Sequence, residues 1–418
     1  MVKASPKDAR SPKTRVRASV LRSALDDVMG VVESRNTIPI LDFVLLRAED
    51  ERITLTATDL DCWAIRDCAS DDRDGPDSRE WMDSCRGFAV ALPAKPLKAV
   101  LSGFDGDAMV TIEAPDEVNA KWAGRVTIRA GRARFKLNTL PVADMPLAAP
   151  IEDAGFSFTL PCSRLADTFA AVEHAISSEE TRYYLNGIYV HPADRDLRFA
   201  ATDGHRLARW SLDAPDGGAS FPAVIVARKT VGILDKLLAS AVKVADKDSS
   251  PPEVSVEASS SGSRLRFVMP ASDGAEIELI AKAIDGQYPD YTRVIPHEPP
   301  HRAAIVRSDL AEAVKRVAVI ASDKTMTIKA SFAEDLLTLS VVSAEIGEGS
   351  EDVPCEYAGP AITFGFNSKY WRDALAALPS DKVAMRFDAD TAAPVRISGW
   401  DDSGEIGSLL QVLMPVRV

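Results

Sequence analysis

Leu21, Leu25, Val28 and Val32 follow the i, i+4, i+7, i+11 spacing of one helix face. The stripe returns as Leu165, Phe169, Val172 and Ile176, and more loosely as Leu310, Val314 and Val317. Ser163, just after Pro161, and Ser308 stand where a helix N-cap is expected. After each stripe the pattern turns to β-rich alternation. FVLLRAEDERITLTATD (43–59), GIYVHPADRDLRFAATD (187–203) and IKASFAEDLLTLSVVS (328–343) each predict two strands joined by a short acidic turn.

The first two copies are in strict register. ATD ends at Asp59 in one and at Asp203 in the other, an offset of 203 − 59 = 144 residues that holds without a gap. It pairs Leu41 with Leu185, Thr37 with Thr181, Val28 with Val172, Leu25 with Phe169 and Leu21 with Leu165. Each copy continues into an apolar strand and a second helix: FAVALPAKPLKAVLSG, AVIVARKTVGILDKLLAS and ITFGFNSKYWRDALAAL. The prediction is an α+β protein of three similar domains, each with two helices packed on antiparallel sheet. Their spans are 15–150, 151–298 and 299–418, preceded by a basic tail over 1–14 that is expected to be disordered. LAAPIEDAG and VIPHEPPHRA read as linkers, with His297 and His301 exposed in the second.

At 418 residues, 46% hydrophobic and 27% charged, the chain has material for several cores. Five irregularly spaced cysteines without a CxxC pair suggest neither a disulfide framework nor a zinc site. No apolar run approaches membrane-spanning length, and a soluble cytoplasmic protein is expected. The net charge of −13 speaks against a generally basic nucleic-acid binder, but it is only a sum. The second helices begin with cations: Lys95 and Lys98; Arg228 and Lys229, with Lys236 farther on; Lys369 and Arg372. Leu97, Val100 and Leu101, Val231, Leu234 and Leu238, and Leu375 and Leu378 form a separate stripe, so the cations should face away from the core. Three such helices side by side would make a basic surface suited to sequence-independent contact with phosphates.

The richest local chemistry is ATDGHRLARW (201–210). Asp203 and His205 could share a strand face, so a hydrolase using them is one reading. Against it, the five histidines form no HxH or HExxH pattern, and there is no GxSxG or phosphate-binding glycine loop. Gly204 reads as a turn residue. No catalytic residue, metal or cofactor is expected.

TRYYLNG (181–187), ATDGHRLA (201–208), DGQYPDYTRVIP (285–296) and VLMPVRV (412–418), with RAGRARFKLNTLPVADMP (129–146) and FGFNSKYWRDALAAL (364–378), resemble the bacterial β sliding clamp family of DNA polymerase III, in order from about residue 16 onward. The resemblance implies a head-to-tail homodimeric ring of three clamp domains per subunit that encircles double-stranded DNA without catalysis. It also implies a tethering role for the polymerase III catalytic subunit, the clamp loader and other proteins bearing a clamp-binding motif. The partner-peptide groove it implies comprises Tyr184, Leu185, Thr202, Gly204, His205, Arg206, Leu207, Pro289, Arg293, Val294, Asn367, Tyr370, Val412, Leu413, Met414, Pro415, Val416 and Arg417. The implied DNA contacts are Arg35, Arg182, Tyr183 and Lys229. The implied subunit interface sets Arg132, Arg134, Phe135 and Leu137 against Ile320, Glu345, Glu348 and Glu351. The chain departs from the family in its Val416 and Val418, in Ala227 and Ala321, and in acidic insertions near 69–87 and 244–252. These departures also admit a divergent clamp paralogue that serves as a partner-binding scaffold.

Overall fold

The computed structural model describes residues 12–33, 37–49, 52–69, 87–114, 124–149, 151, 154–244, 250–271, 273–321 and 326–417. Arg35 and most of the two acidic insertions lie outside these. By internal contacts the chain forms two compact units, residues 1–163 with 236–282, and residues 164–235 with 283–418.

The first unit holds two antiparallel sheets. One has four strands in the order Lys13–Arg17, Met109–Glu113, Arg125–Ala130 and Ala133–Asn138. The other has eight: Phe88–Pro93, Phe43–Glu49, Arg52–Thr58, Cys62–Ala69, Glu276–Lys282, Arg264–Pro270, Glu253–Ser259 and Ala154–Pro161. Helices α1 (Ala18–Met29) and α2 (Ala94–Ser102) pack together, and α1 lies on the strands of the larger sheet. Leu21, Leu25 and Val28 of the stripe are fully buried. The first strand begins at Lys13 and pairs with Glu113, so ordered structure starts inside the span read as a tail. Its alternating Thr14 and Val16 are buried, which a basic, Pro-rich context obscured.

The second unit repeats the plan. Its eight-stranded sheet runs Val224–Ala227, Gly187–Ala193, Asp196–Thr202, Arg206–Asp213, Gly404–Leu413, Val395–Asp401, Lys382–Phe387 and His301–Val306. Its four-stranded sheet runs Gly347–Pro354, Leu336–Ser343, Thr327–Ala333 and Ile362–Asn367. Helices α3 (Cys162–Val172) and α4 (Arg228–Val244) contribute residues to both units, while α5 (Arg307–Val317) and α6 (Ser368–Ala376) belong to the second. Among the described residues there are therefore six α-helices, two per repeat.

The larger sheets do not respect the repeat boundaries. Cys62–Ala69 of the first repeat pairs with Glu276–Lys282 of the second, and Arg206–Asp213 of the second pairs with Gly404–Leu413 of the third. Each repeat thereby hands its free edge to the next, which removes an unpaired row of backbone groups. At the first of these joints Arg66 is fully buried between Asp27 of α1 (2.9 Å) and Asp273. Burial pushes the Asp27 carboxyl above its usual range despite that arginine.

Two sequence expectations are corrected. Ser163 and Ser308 lie inside the first turns of α3 and α5 and do not cap them, because both helices start directly from the last residue of a strand. Ser308 Oγ donates to Asp309 instead. His301 is not a linker residue: it opens a strand and packs half-buried near Phe387.

Candidate functional site

The 144-residue repeat extends to individual hydrogen bonds. In the first copy Thr58 Oγ1 accepts from Leu60 N–H (3.0 Å), and Asp59 Oδ1 accepts from Asp61 and Cys62 N–H (3.0 and 2.6 Å). In the second, Thr202 Oγ1 accepts from Gly204 N–H (3.1 Å), and Asp203 Oδ1 accepts from His205 and Arg206 N–H (2.9 and 3.1 Å). The residue after the aspartate has positive φ in both, Leu60 at 80° and Gly204 at 89°. Even the following strand contact is shared. Asp61 carbonyl accepts from Lys282 N–H (2.9 Å), and His205 carbonyl from Met414 N–H (3.0 Å).

The side chains then part company. Trp63 is buried and its Nε1–H donates to the Pro146 carbonyl (3.1 Å), so an indole fills the first copy. Its counterpart 144 residues on is Leu207. Leu207 belongs to an apolar cluster with Leu185, Ile225, Tyr288, Tyr291, Leu410 and Val412. Pro289, Arg293 and Val294 are exposed on the segment that carries Tyr288 and Tyr291. Met414 and Pro415 are half-buried after the last strand, and Val416 and Arg417 are exposed. Val416 N–H bonds to the Gly365 carbonyl (2.9 Å), which ties the tail back to the sheet that leads into α6.

Arg206 is the hub of this region. Its side chain is 9% exposed, with Nε 3.0 Å from Asp203 Oδ2 and a terminal nitrogen 2.7 Å from Asp373 Oδ2. Its guanidinium lies 4.4 Å from the centre of the Tyr370 ring, and His205 stacks against the same ring at 6.2 Å. Asn367 caps α6 by accepting from Lys369 and Tyr370 N–H (3.0 and 3.1 Å), which sets the position of Tyr370. Tyr184 is half-buried against the apolar cluster.

Behind Arg206 opens a cavity of about 540 Å³ lined by His174, Glu179, His205, Tyr370 and Asp373 among others. His174 is half-buried there, and desolvation, reinforced by Arg206, pushes its imidazole down to about 4. Arg228, flagged in the sequence as a helix-start cation, donates to the Ile176 and Ser177 carbonyls (2.7 and 2.6 Å) and holds the cavity wall. His174 and Glu179 stand in no motif, and Asp373, within FGFNSKYWRDALAAL, was not singled out there, so all three were missed from sequence. Asp203 directs its carboxylate at two backbone amides and Arg206, while the His205 ring faces Tyr370, so the hydrolase geometry is not assembled.

Three consecutive families cover the chain: the N-terminal domain of the DNA polymerase III beta subunit matches residues 13–149, its central domain 159–290 and its C-terminal domain 292–417. The chain is 34% identical to the beta sliding clamp of Caulobacter vibrioides over 97% of its own length and 100% of the relative's. The chain belongs to the beta sliding clamp family. The Escherichia coli K12 beta sliding clamp is 29% identical over 97% and 100% of the two chains. The structure resembles the Bartonella birtlesii sliding clamp bound to griselimycin (TM-score 0.85, 32% identity, 97% and 100% covered) and the Caulobacter crescentus DNA polymerase sliding clamp (TM-score 0.83, 33%, 98% and 100%). Its function is accordingly that of a DNA sliding clamp in replication, and the hydrolase reading falls away.

The clamp's remaining candidates take distinct places. Arg182 is bound to Glu179 through two 2.7 Å hydrogen bonds and lies over Gly204, while Tyr183 is 53% exposed. Lys229 is half-buried in the first turn of α4, and Lys95, Arg228, Lys236, Lys369 and Arg372 are exposed, off the apolar stripe. Arg132, Arg134 and Phe135 are exposed and Leu137 half-buried along Ala133–Asn138, the edge strand of the first small sheet. Gly347–Pro354 is the edge strand of the other small sheet, with Glu345 and Glu348 exposed beside it. Glu351, on the same strand, is bound by Arg316 at 2.9 and 2.5 Å within its own chain. Ile320 is half-buried, but Val319, Val342 and Ile346 nearby are 74%, 80% and 59% exposed. Sequence reading missed those three because single apolar residues that end a helix, strand or turn look like core.

Proposed function

We propose that the chain closes head-to-tail with a second copy into a ring around duplex DNA and tethers partners by a short peptide docked over the 203–207 turn and the C-terminal tail. The observation that carries this is the contrast between the two turns. At the second, exposed Pro289, Val294 and Val416 and half-buried Tyr184, Met414 and Pro415 flank a buried apolar cluster with Leu185, Leu207 and Val412, beside a fixed Arg206. Such a surface suits an apolar peptide oriented by a few polar groups. Ring closure is supported by two unpaired edge strands of opposite charge, one with Arg132, Arg134 and Phe135, the other with Glu345 and Glu348 flanked by Val342 and Ile346. An isologous pairing would set like charges together, so a heterologous one that closes after two subunits is favoured. DNA contact is through phosphates, with Arg182, Tyr183, Lys229 and Arg35 as the contacting residues. A phosphate at Arg182 competes with Glu179, which makes that contact salt-sensitive. The chain acts as a cytoplasmic tether, with the chemistry left to its partners.

Retention on circular DNA that is lost when the circle is linearised is the expected signature of a closed ring. Equal retention on both forms contradicts ring closure and points to the scaffold paralogue. Substituting Arg206, or deleting the last five residues, should abolish peptide binding while sedimentation still reports a dimer. Intact peptide affinity in both variants would overturn the docking assignment.

A further inference from the structure

One face of the second unit's large sheet carries an arginine without a bonded acid among the described residues. Strand register sets Thr202, Leu207, Val412 and Arg396 in one row across four strands, and Ala200, Arg209, Leu410 and Ser398 in the next. Directly paired residues share a sheet face. Arg396 therefore shares a row with the apolar floor residues Leu207 and Val412, and Arg209 stands two residues along its strand from Leu207, roughly 7 Å.

The arginines here are not equivalent. Arg198 is paired with Asp194 (3.1 Å) and Asp196 (3.7 Å). Arg386 and Arg396 share Glu405, the first at 3.1 Å. Arg209, placed among Arg198, Arg396 and Tyr291, makes no hydrogen bond or ion pair with any described residue. Its Nε is buried without a partner, as are Nε of Arg198 and Arg396 and Oγ of Ser211. Burial, together with the neighbouring Arg198 and Arg396 guanidiniums, holds the Arg209 pKa below the usual arginine range, although Tyr291 and the more distant Asp196 act the other way. Tyr291, held by His191 Nε2 at 2.8 Å, walls the other side.

We propose that Arg209, flanked by Arg198 and Arg396, receives a carboxylate side chain of the docking peptide, so that partners with an acidic residue flanking their apolar core are preferred. This rests on the docking reading above. The chemistry is a charge-assisted pair at a half-buried guanidinium, with no competing acid bonded to it.

The test uses the full-length chain and fluorescein-labelled decapeptides with a Leu-Leu-Phe core. Each carries Glu or Gln at the N-terminal flank, or Glu or Gln at the C-terminal flank, and binding is read by polarisation at low salt. From one flank, the Glu peptide should bind about fivefold tighter than its Gln twin. Arg209→Gln should erase that ratio and leave the Gln peptide's affinity unchanged. If the variant fails to fold, raising salt with the unaltered chain must erase the ratio instead. Equal binding of Glu and Gln peptides from both flanks overturns the proposal while leaving the docking reading intact. Binding of no peptide, or affinity indifferent to the Arg206 and tail changes, overturns the docking reading and this proposal with it. A ratio that survives in the folded Arg209→Gln variant, or at high salt in the unaltered chain, assigns the preference elsewhere and also overturns it.

Discussion

The turns at 59–63 and 203–207 share the same three hydrogen bonds, and their surroundings differ. In the first, Trp63 fills the space under the turn, and an exposed Lys282–Asp61 pair (3.0 Å) closes over it. In the second, leucine replaces tryptophan, and the arginine at the position of Cys62 is tied to Asp203, Asp373 and Tyr370. One backbone device, repeated 144 residues apart, thus carries a buried indole in one copy and a doubly paired arginine beside a leucine in the other. The difference lies in the volume at one position and the charge at the next.

The comparison can be broken most forcefully at Trp63. Trp63→Ala should cost about 4 kcal/mol in urea unfolding, because the indole is buried and its N–H is engaged. Leu207→Ala should cost about 3 kcal/mol and weaken peptide binding, which Trp63→Ala should not. Reversed peptide effects would show that the open surface is misplaced.

Next in size is the charge. Arg206→Ala should cost about 3 kcal/mol, since it strands two carboxylates, one of them only 15% exposed. Lys282→Ala, at an exposed pair, should cost less than about 1 kcal/mol. A double-mutant cycle with Asp373→Ala isolates the Arg206 pair. Coupling no larger than that of Lys282 with Asp61 would reduce Arg206 to a surface residue.

His174 sharpens the contrast through pH. Its folded pKa of about 4 lies below the unfolded value near 6.5, so the unfolded chain binds the proton more readily between them. Its contribution is complete above about pH 6.5 and is lost as pH falls towards 4, by up to about 3 kcal/mol. His174→Phe should flatten that part of the stability profile. An unchanged slope between pH 6.5 and 4 would remove His174 from the account.

The smallest effects lie in the backbone. Leu60→Gly should change stability by less than about 1 kcal/mol, because relief of a leucine at φ 80° is offset by loss of its packing on the Ile40, Leu41 and Met145 cluster. Gly204→Ala should destabilise by about 1 kcal/mol or more, because a Cβ there meets Arg182 at 2.8 Å and φ is 89°. Thermal melts should move clearly downward only for Gly204→Ala.

Much of this was legible in the chain itself. The helix stripes, the three hairpins and the basic helix starts appear where periodicity put them, because each depends on residues only a few positions apart. Arg206 stood out in its motif, but Asp373 did not, since the two are 167 residues apart. Nothing in the sequence singles out Arg209 or Arg396; register sets one beside Leu410 and the other beside Val412. The joints at Cys62–Ala69 and Arg206–Asp213 were also hidden, because an edge strand does not announce its partner. Val319, Val342 and Ile346 look like core in the sequence and prove exposed.

By itself the sequence determined the repeat, the strands and the ATD turn, whose aspartate meets amides two and three residues away and needs nothing distant to form. Only the tertiary structure decided what supports each turn. That choice depends on what approaches the turn from far along the chain, Pro146 and Lys282 in one case and Asp373 and Met414 in the other. Side-chain volume and charge acquire their meaning there only once the neighbouring strand is in register.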